Sequence, residues 1–304
     1  MAQIREIKKR MTAVSTIERI TKTMQMIATA KFTSSLQRAR ATRPYTDKIR
    51  ELVAQLAANC GDDLDDPLIG GVAGAPEKEL IIVVSSDRGL CGAYNSHVLR
   101  LASKHLRSLR DAGTEFELQI VGKKAAAYFS FNRTPVAEQY TFGDKPEFDD
   151  VAEAASSFIA RFANGEFSAV RVVYMKFISN ARQEAELMQL LPMRLDEVAD
   201  DAAAPRGEEK EAPASSSGPI SYEFSPSVEE ILSELLPRAV KTSLFQAIND
   251  AIVSEQVMRM IAMKAATDNA SSLGRTLKRD FNRARQGKIT TELTEIVSGA
   301  AALE

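Results

Sequence analysis

From residue 3 to about residue 58, apolar side chains recur at steps of three and four: Ile4, Ile7, Met11, Val14, Ile17, Ile20, Met24 and Ile27. That spacing predicts one long helix with a seam of coiled-coil type, although the successive steps of three at 14, 17 and 20 slip from a strict heptad. No Gly precedes Gly61, and Pro44 is the one break. It is expected to kink the helix rather than end it, because apolar spacing resumes at Ile49, Leu52, Val53 and Leu56. The same pattern returns from residue 227 to about 298, with no Pro after Pro237. There the seam is read as Val240, Leu244, Ile248, Ile252, Met258, Ile261, Leu273, Leu277 and Phe281, and the small residues of MKAATDNASS permit close helix approach.

Between these helices the period changes. Residues 61–78, GDDLDDPLIGGVAGAPEK, read as a loop. ELIIVVSS (79–86) is a continuous apolar run of strand length, the mark of a strand buried on both faces. Helix-like 95–111, strand-like EFELQIVG, helix-like 123–131, strand-like 136–142, helix-like 149–163 and strand-like AVRVVYMKF (169–177) follow. Such alternation predicts a small α/β domain with a largely parallel sheet. AELMQLLPM (185–193) reads as one more strand, at an edge.

The lengths constrain the architecture. At 1.5 Å per residue the C-terminal helix would span roughly 105 Å and the N-terminal one roughly 80 Å, too long to fold inside a globule. They are expected to pair antiparallel, with the longer one overhanging, as a rod with a knob near one end. On the last stretch, ARQGKITTELTEIVSGAAALE, the residues Ile289, Leu293, Ile296 and Val297 form a narrow apolar stripe bordered by Thr and Glu. A helix needs something to cover such a stripe.

Composition modifies this picture in three ways. The formal net charge of −2 hides an asymmetry: residues 1–50 hold twelve Lys or Arg against Glu6, Glu18 and Asp47, whereas residues 196–211 hold seven Asp or Glu against Arg206 and Lys210. A basic surface for an acidic partner and a mobile acidic excursion at 196–219 are expected. Cys60 and Cys91, with no CxxC, and only two histidines, His97 and His105, argue against a disulfide framework and most metal sites, and fit a reducing compartment. No apolar run reaches the length of about 20 residues that spans a membrane, and MAQIREIKKRM carries neither a signal peptide core nor a Ser/Arg-rich leader.

Four stretches, ITKTMQMIATAK, SSDRGLCGAYN, MKAATDNASSL and ARQGKITTELTEIVSGAA, resemble the signature segments of the F-type ATP synthase gamma-subunit family, in order along the whole chain. The resemblance implies a coiled coil of the terminal helices plus a central Rossmann-like α/β domain with a mostly parallel sheet. Its expected segments are 1–60, 61–220 (with an acidic insert near 196–218) and 221–304. The insert departs from the bacterial pattern in length, and from the chloroplast pattern in carrying no Cys. The implied role is a rotor shaft that couples turning of a membrane ring of c subunits to three beta subunits. The implied partners are three alpha and three beta subunits, an epsilon subunit and the c-ring, with no nucleic acid and no cofactor. The implied place is peripheral, on the cytoplasmic face of a bacterial inner membrane.

The resemblance also assigns residues. Arg285, Gln286 and Thr290 match positions that hydrogen-bond a loop of one beta subunit; a solvated basic face is the plain alternative. Arg259 matches an arginine near an acidic beta segment, and Met24 a position close to it, though Met24 also fits the seam. Lys8, Lys9, Arg10, Lys22 and Lys31 could form a basic collar or simply be solvated. Ile289, Leu293, Ile296 and Val297 would be a bearing tip. Tyr222, Glu223 and Phe224 would face the c-ring and epsilon subunit, or form a plain strand or loop before the long helix. Asp87-Arg88-Gly89-Leu90-Cys91-Gly92 reads as a structural turn with Cys91 buried and both histidines on the surface. As a phosphate loop it lacks GxGxxG and GK[ST]. Two rival functions remain: a nucleotide-binding α/β hydrolase, and a coiled-coil adaptor with a basic surface for nucleic acid.

Overall fold

The computed structural model describes residues 2–60, 66–72, 74–193 and 228–301. The acidic insert and Tyr222, Glu223 and Phe224 lie outside the described residues. Contacts group the chain into two units, one of Met1–Phe32, Leu90–Gly92 and Gln256–Glu304, the other of Thr33–Gly89 and Ala93–Glu255. Helix α1 (Ala2–Cys60) and the last helix, α6 (Val228–Ala301), each supply residues to both. Both stay helical through their internal prolines, Pro44 and Pro237.

The larger unit is built on a five-stranded sheet. Its strands are β1 (Lys78–Val84), β2 (Glu115–Val121), β3 (Glu138–Tyr140), β4 (Ala169–Phe177) and β5 (Gln183–Leu191). Their order is β3-β2-β1-β4-β5, parallel throughout except for β5, which pairs antiparallel with β4 at the edge. The apolar run of β1 is central, and six of its seven residues are buried. The segment read as a loop contains a one-turn helix, α2 (Pro67–Gly70), started by Asp66, whose carboxylate accepts from Leu68 N. The strand expected at 136–142 shrinks to the three residues that pair with β2. The connecting helices are α3 (Tyr94–Ala112), α4 (Lys123–Phe131) and α5 (Phe148–Ala163).

Side-chain alternation divides the sheet into two faces. Leu80, Ile82, Val170, Val172 and Tyr174 join one cluster with Phe158 and Phe162 of α5, Ile49, Val53 and Leu56 of α1, and Leu236, Val240, Leu244 and Ile248 of α6. Helix α3 packs on β1, β2, β4 and β5. His105 on α3, expected at the surface, is instead half-buried. Its Nε2 stands 2.9 Å from Glu79 Oε2, which also accepts from Arg171 Nε at 3.0 Å. Burial pushes the Glu79 carboxyl up, but the bonds from His105 and Arg171 outweigh it and hold it below its ordinary value.

Within this unit α6 is buried on almost every side, so it needs polar side chains that find partners inside. Arg50 Nη2 donates to Ser243 Oγ at 3.2 Å, Thr42 Oγ1 to Gln246 Oε1 at 3.0 Å, Gln246 Nε2 to Asp250 Oδ1 at 2.9 Å, and Ser254 Oγ to the Met175 carbonyl at 3.1 Å. Asp250 is 5% exposed, and burial pushes its carboxyl up to about 6 against the pull of Arg43, Gln246 and Lys176. The folded-state value is the higher one. This group therefore favours the fold most at low pH, and its contribution falls as pH rises from the unfolded value of 3.8 to about 6. At pH 7.5 the ionised form costs about 3 kcal/mol. Asp250→Asn keeps the acceptor for Gln246 and is expected to raise stability by on the order of 1–3 kcal/mol at pH 7.5 and about half as much at pH 5. Urea unfolding at the two pH values checks this; a less stable Asn variant at pH 7.5 would contradict it.

Candidate functional site

In the smaller unit the two long helices form an antiparallel pair. Thr267 Oγ1 donates to Thr21 Oγ1 at 2.9 Å, and a Cβ on Gly274 would stand 3.9 Å from Val14 Cγ1. Seven residues back on one helix match seven forward on the other, which is one heptad.

Within the smaller unit, α1 loses exposure along Ile4, Ile7, Met11, Val14, Glu18, Thr21, Gln25, Ala28 and Phe32, with Lys31 half-buried beside them. Their spacing alternates three and four without a slip. The sequence reading was wrong here: Ile17, Ile20, Met24 and Ile27 lie off the seam, at 51%, 47%, 39% and 52% exposure. On α6 the buried or half-buried positions include Met263, Thr267, Ala270, Gly274, Leu277 and Phe281, whereas Ile261 and Leu273, also assigned to the seam, are about half exposed. The inversion has a physical reason. Ala28, Thr21, Ala270 and Gly274 let two backbones approach closely, and a bulky Ile at those positions would hold them apart.

Of the 18 large hydrophobic residues exposed among the described residues, 12 belong to this smaller unit. The helix pair therefore mixes large apolar residues (Ile7, Met11, Val14, Leu277, Phe281) with small ones (Thr21, Ala28, Thr267, Ala270, Gly274) along its seam, and carries a second apolar surface outside. Contiguous apolar surface of this kind marks an interaction site.

Carrying the register on by twelve residues from Val14 and Gly274 sets Ala2 level with Gln286. Beyond that point no described residue of α1 lies level with α6, and every residue from 289 to 299 is exposed. Ile289, Leu293, Ile296 and Val297 stand at 52%, 59%, 72% and 59% exposure. Arg285, Gln286 and Thr290 are exposed at the base of this overhang. Thr290 Oγ1 donates to its own Gln286 carbonyl at 3.0 Å, so its oxygen keeps acceptor capacity toward a partner. Arg259 is half-buried lower on the same helix. Lys8, Lys9, Arg10 and Lys22 are exposed, Lys31 is half-buried, and Arg10 pairs with Glu6. The turn Leu90–Gly92 groups with the helix pair: Cys91 is buried, and a Cβ on Gly92 would stand 3.6 Å from the Met258 carbonyl.

The second place to look for chemistry is the crevice at the carboxyl ends of β1 and β2, where parallel sheets hold ligands. A phosphate there would need free amides at the start of α4. All three of the first amides are engaged: Lys123 N donates to Asp87 Oδ1 at 3.1 Å, Lys124 N to the Ser86 carbonyl at 3.0 Å, and Ala125 N to Ser85 Oγ at 2.9 Å. Gly122, at φ +95°, brings its backbone so close that a Cβ would lie 2.3 Å from the Ser85 carbonyl oxygen. Ile248, Ala251, Ile252 and Glu255 of α6 line what remains, a cavity of about 90 Å³. Ligand pockets are usually about 300–1,000 Å³. Among the described residues no helix is long and apolar enough to cross a membrane.

A family model described as ATP synthase matches residues 3–303. ATP synthase gamma chains of Rhodopirellula baltica and Leptospira biflexa are 37% identical over 310 residues and 36% identical over 308, each alignment covering all of both chains. Among solved structures, a chain of the Euglena gracilis mitochondrial ATP synthase (OSCP/F1/c-ring, rotational state 3) superposes with a TM-score of 0.64 at 18% identity, covering 99% of this chain and 95% of that one. A chain of the Tetrahymena thermophila mitochondrial ATP synthase central stalk and c-ring gives 0.59 at 21% identity, covering 81% and 99%.

Proposed function

The chain belongs to the ATP synthase gamma-chain family, and from that premise we propose that it is the central shaft of the enzyme, turned by a c-ring and acting on three alpha and three beta subunits beside an epsilon subunit. The observation that carries this reading is the helix pair whose outer face, beyond the packed seam, leaves Ile17, Ile20, Met24, Met26 and Ile27 exposed. An apolar sleeve can cover such a surface, yet no single contact along it is wide enough to lock one orientation. An asymmetric shaft touches three identical beta subunits differently and biases each toward a different conformation. The chain acts from the cytoplasmic face of the membrane as a peripheral subunit.

The shaft has no active site of its own. The engaged amides of α4 and the small crevice support this against a nucleotide hydrolase. The purified chain is expected to hydrolyse no ATP, and turnover that persists after alpha and beta are removed would refute the assignment.

Arg285, Gln286 and Thr290 contact a loop of one beta subunit at a time, with Arg259 and Met24 engaging the ring lower down. Ile289, Leu293, Ile296 and Val297 are the bearing tip, and Tyr222, Glu223 and Phe224 meet the c-ring and epsilon subunit. Arg285→Ala with Gln286→Ala removes hydrogen bonds of about 1.5–3 kcal/mol where charge is involved, but little buried area. Synthesis per assembled complex is expected to fall about tenfold in inverted vesicles, with complex yield unchanged. Normal synthesis per complex would remove both residues from the coupling mechanism.

A further inference from the structure

We propose that the groove between α3 and α4 is a docking site for an acidic, amphipathic helix of a partner subunit. Arg100, Lys104 and Arg107 follow one another at steps of four and three, so they share one exposed face of α3. None of the three forms an ion pair among the described residues. Across the groove α4 presents Tyr128, 37% exposed, and one turn further along α4, outside the groove's lining, stands Phe131, 87% exposed. Ser103 Oγ lies 3.2 Å from the Tyr128 hydroxyl and ties the two walls together. The groove they enclose is open and measures about 770 Å³.

Charge selects the occupant. The two helices carry six Lys or Arg (Arg100, Lys104, Arg107, Arg110, Lys123 and Lys124) and one acid, Asp111, in a chain whose net charge is −2. Arg110 is already used, standing 5.3 Å over the Phe116 ring. Arg and aromatic side chains are the residues enriched at protein interfaces, and a Phe that is 87% exposed is the kind of anchor a partner covers. The three free cations cover about 10 Å of helix, two turns, which matches one face of a docked helix and is short for a nucleic-acid backbone tract. A bilayer surface would meet the rims and leave the concave floor at Leu99 and Ser103 unfilled. A helix with acids toward α3 and apolar residues toward Tyr128, reaching past the rim to Phe131, satisfies both walls.

This inference requires a multisubunit complex, but it does not use the rotor reading of the helix pair. A photo-crosslinking residue is placed at Phe131, the complex is purified through a tag on this chain, and crosslinked peptides are identified by mass spectrometry. The expected result is one dominant segment with Asp or Glu on one face and Leu, Ile or Val on the other. Its yield should fall at least tenfold in the variant carrying Arg100→Glu, Lys104→Glu and Arg107→Glu. Should that variant not fold, the unaltered chain should lose the same yield between 50 and 500 mM salt. Crosslinks only to lipid, to a basic segment or to nothing, or a yield indifferent to both charge and salt, would overturn the proposal. Failure of alpha and beta to co-purify would instead strike at the shaft assignment and leave the groove result standing.

Discussion

Replacing Ile17, Ile20 and Ile27 together by Ser is expected to leave the chain folded and to weaken its capture by the catalytic ring on the order of 100-fold. Each side chain is about half exposed and off the helix seam. Covering the remaining half of an Ile contributes roughly 1 kcal/mol, and three give roughly 3 kcal/mol, or about two powers of ten in affinity. Surface substitutions away from packed features usually change stability by about 0.5 kcal/mol or less. The opposite behaviour is expected at Ala28, which is 1% exposed. Ala28→Leu inserts three carbons where the helices meet and should cost about 1–3 kcal/mol of the isolated chain's stability. Urea unfolding of each variant, beside titration of alpha and beta subunits with the purified chain, separates the two effects. A triple Ser variant that unfolds, yet binds normally once folded, would return these isoleucines to the seam.

Gly122→Ala is expected to cause the largest stability loss of any Gly→Ala change among the described glycines, more than about 3 kcal/mol, from strain at positive φ and a clash that neither backbone can relieve. The Cβ would lie 2.3 Å from the Ser85 carbonyl oxygen and 2.9 Å from Ser85 Oγ, the atom that caps α4 by accepting from Ala125 N. Gly113→Ala is the control: its φ is +77°, and nothing stands within 4 Å of the added carbon. It should lose only about 1–2 kcal/mol, the cost of a left-handed backbone. Equal losses at the two positions, measured by urea unfolding, would mean that the tight closure of the crevice contributes nothing to the fold.

Most of the fold was legible because its signals are local. The apolar run in β1, the alternation of helix and strand periods, and the unbroken helical spacing at both ends each identify an element without knowledge of its neighbours. What could not be read depends on neighbours. Glu138–Tyr140 is short because only three residues find partners on β2. His105 is half-buried because Glu79, itself bonded by Arg171 on the neighbouring strand, meets it from the sheet.

The seam was misread because Ile outranks Ala and Thr in hydrophobicity, although close helix packing selects by size. Strict alternation of three and four through Glu18, Thr21, Gln25 and Ala28 was the signal that could have found it. The overhanging tip was legible from length alone, since a 74-residue helix cannot be matched along its whole course by one of 59. The contact roles proposed for Arg285, Gln286 and Thr290 rest on the family resemblance alone, because three exposed polar residues have no local signature.

The most direct test of the shaft assignment is single-molecule rotation. The complex is fixed to a surface through its beta subunits, a gold rod is attached to this chain through a Cys introduced at an exposed site of α3, and ATP is supplied. The expected result is continuous rotation of the rod in one direction, with three equivalent dwells per turn that lengthen as ATP is diluted. ATP hydrolysis at the normal rate with a stationary rod would contradict it, because the chain would then be a fixed scaffold rather than the moving part.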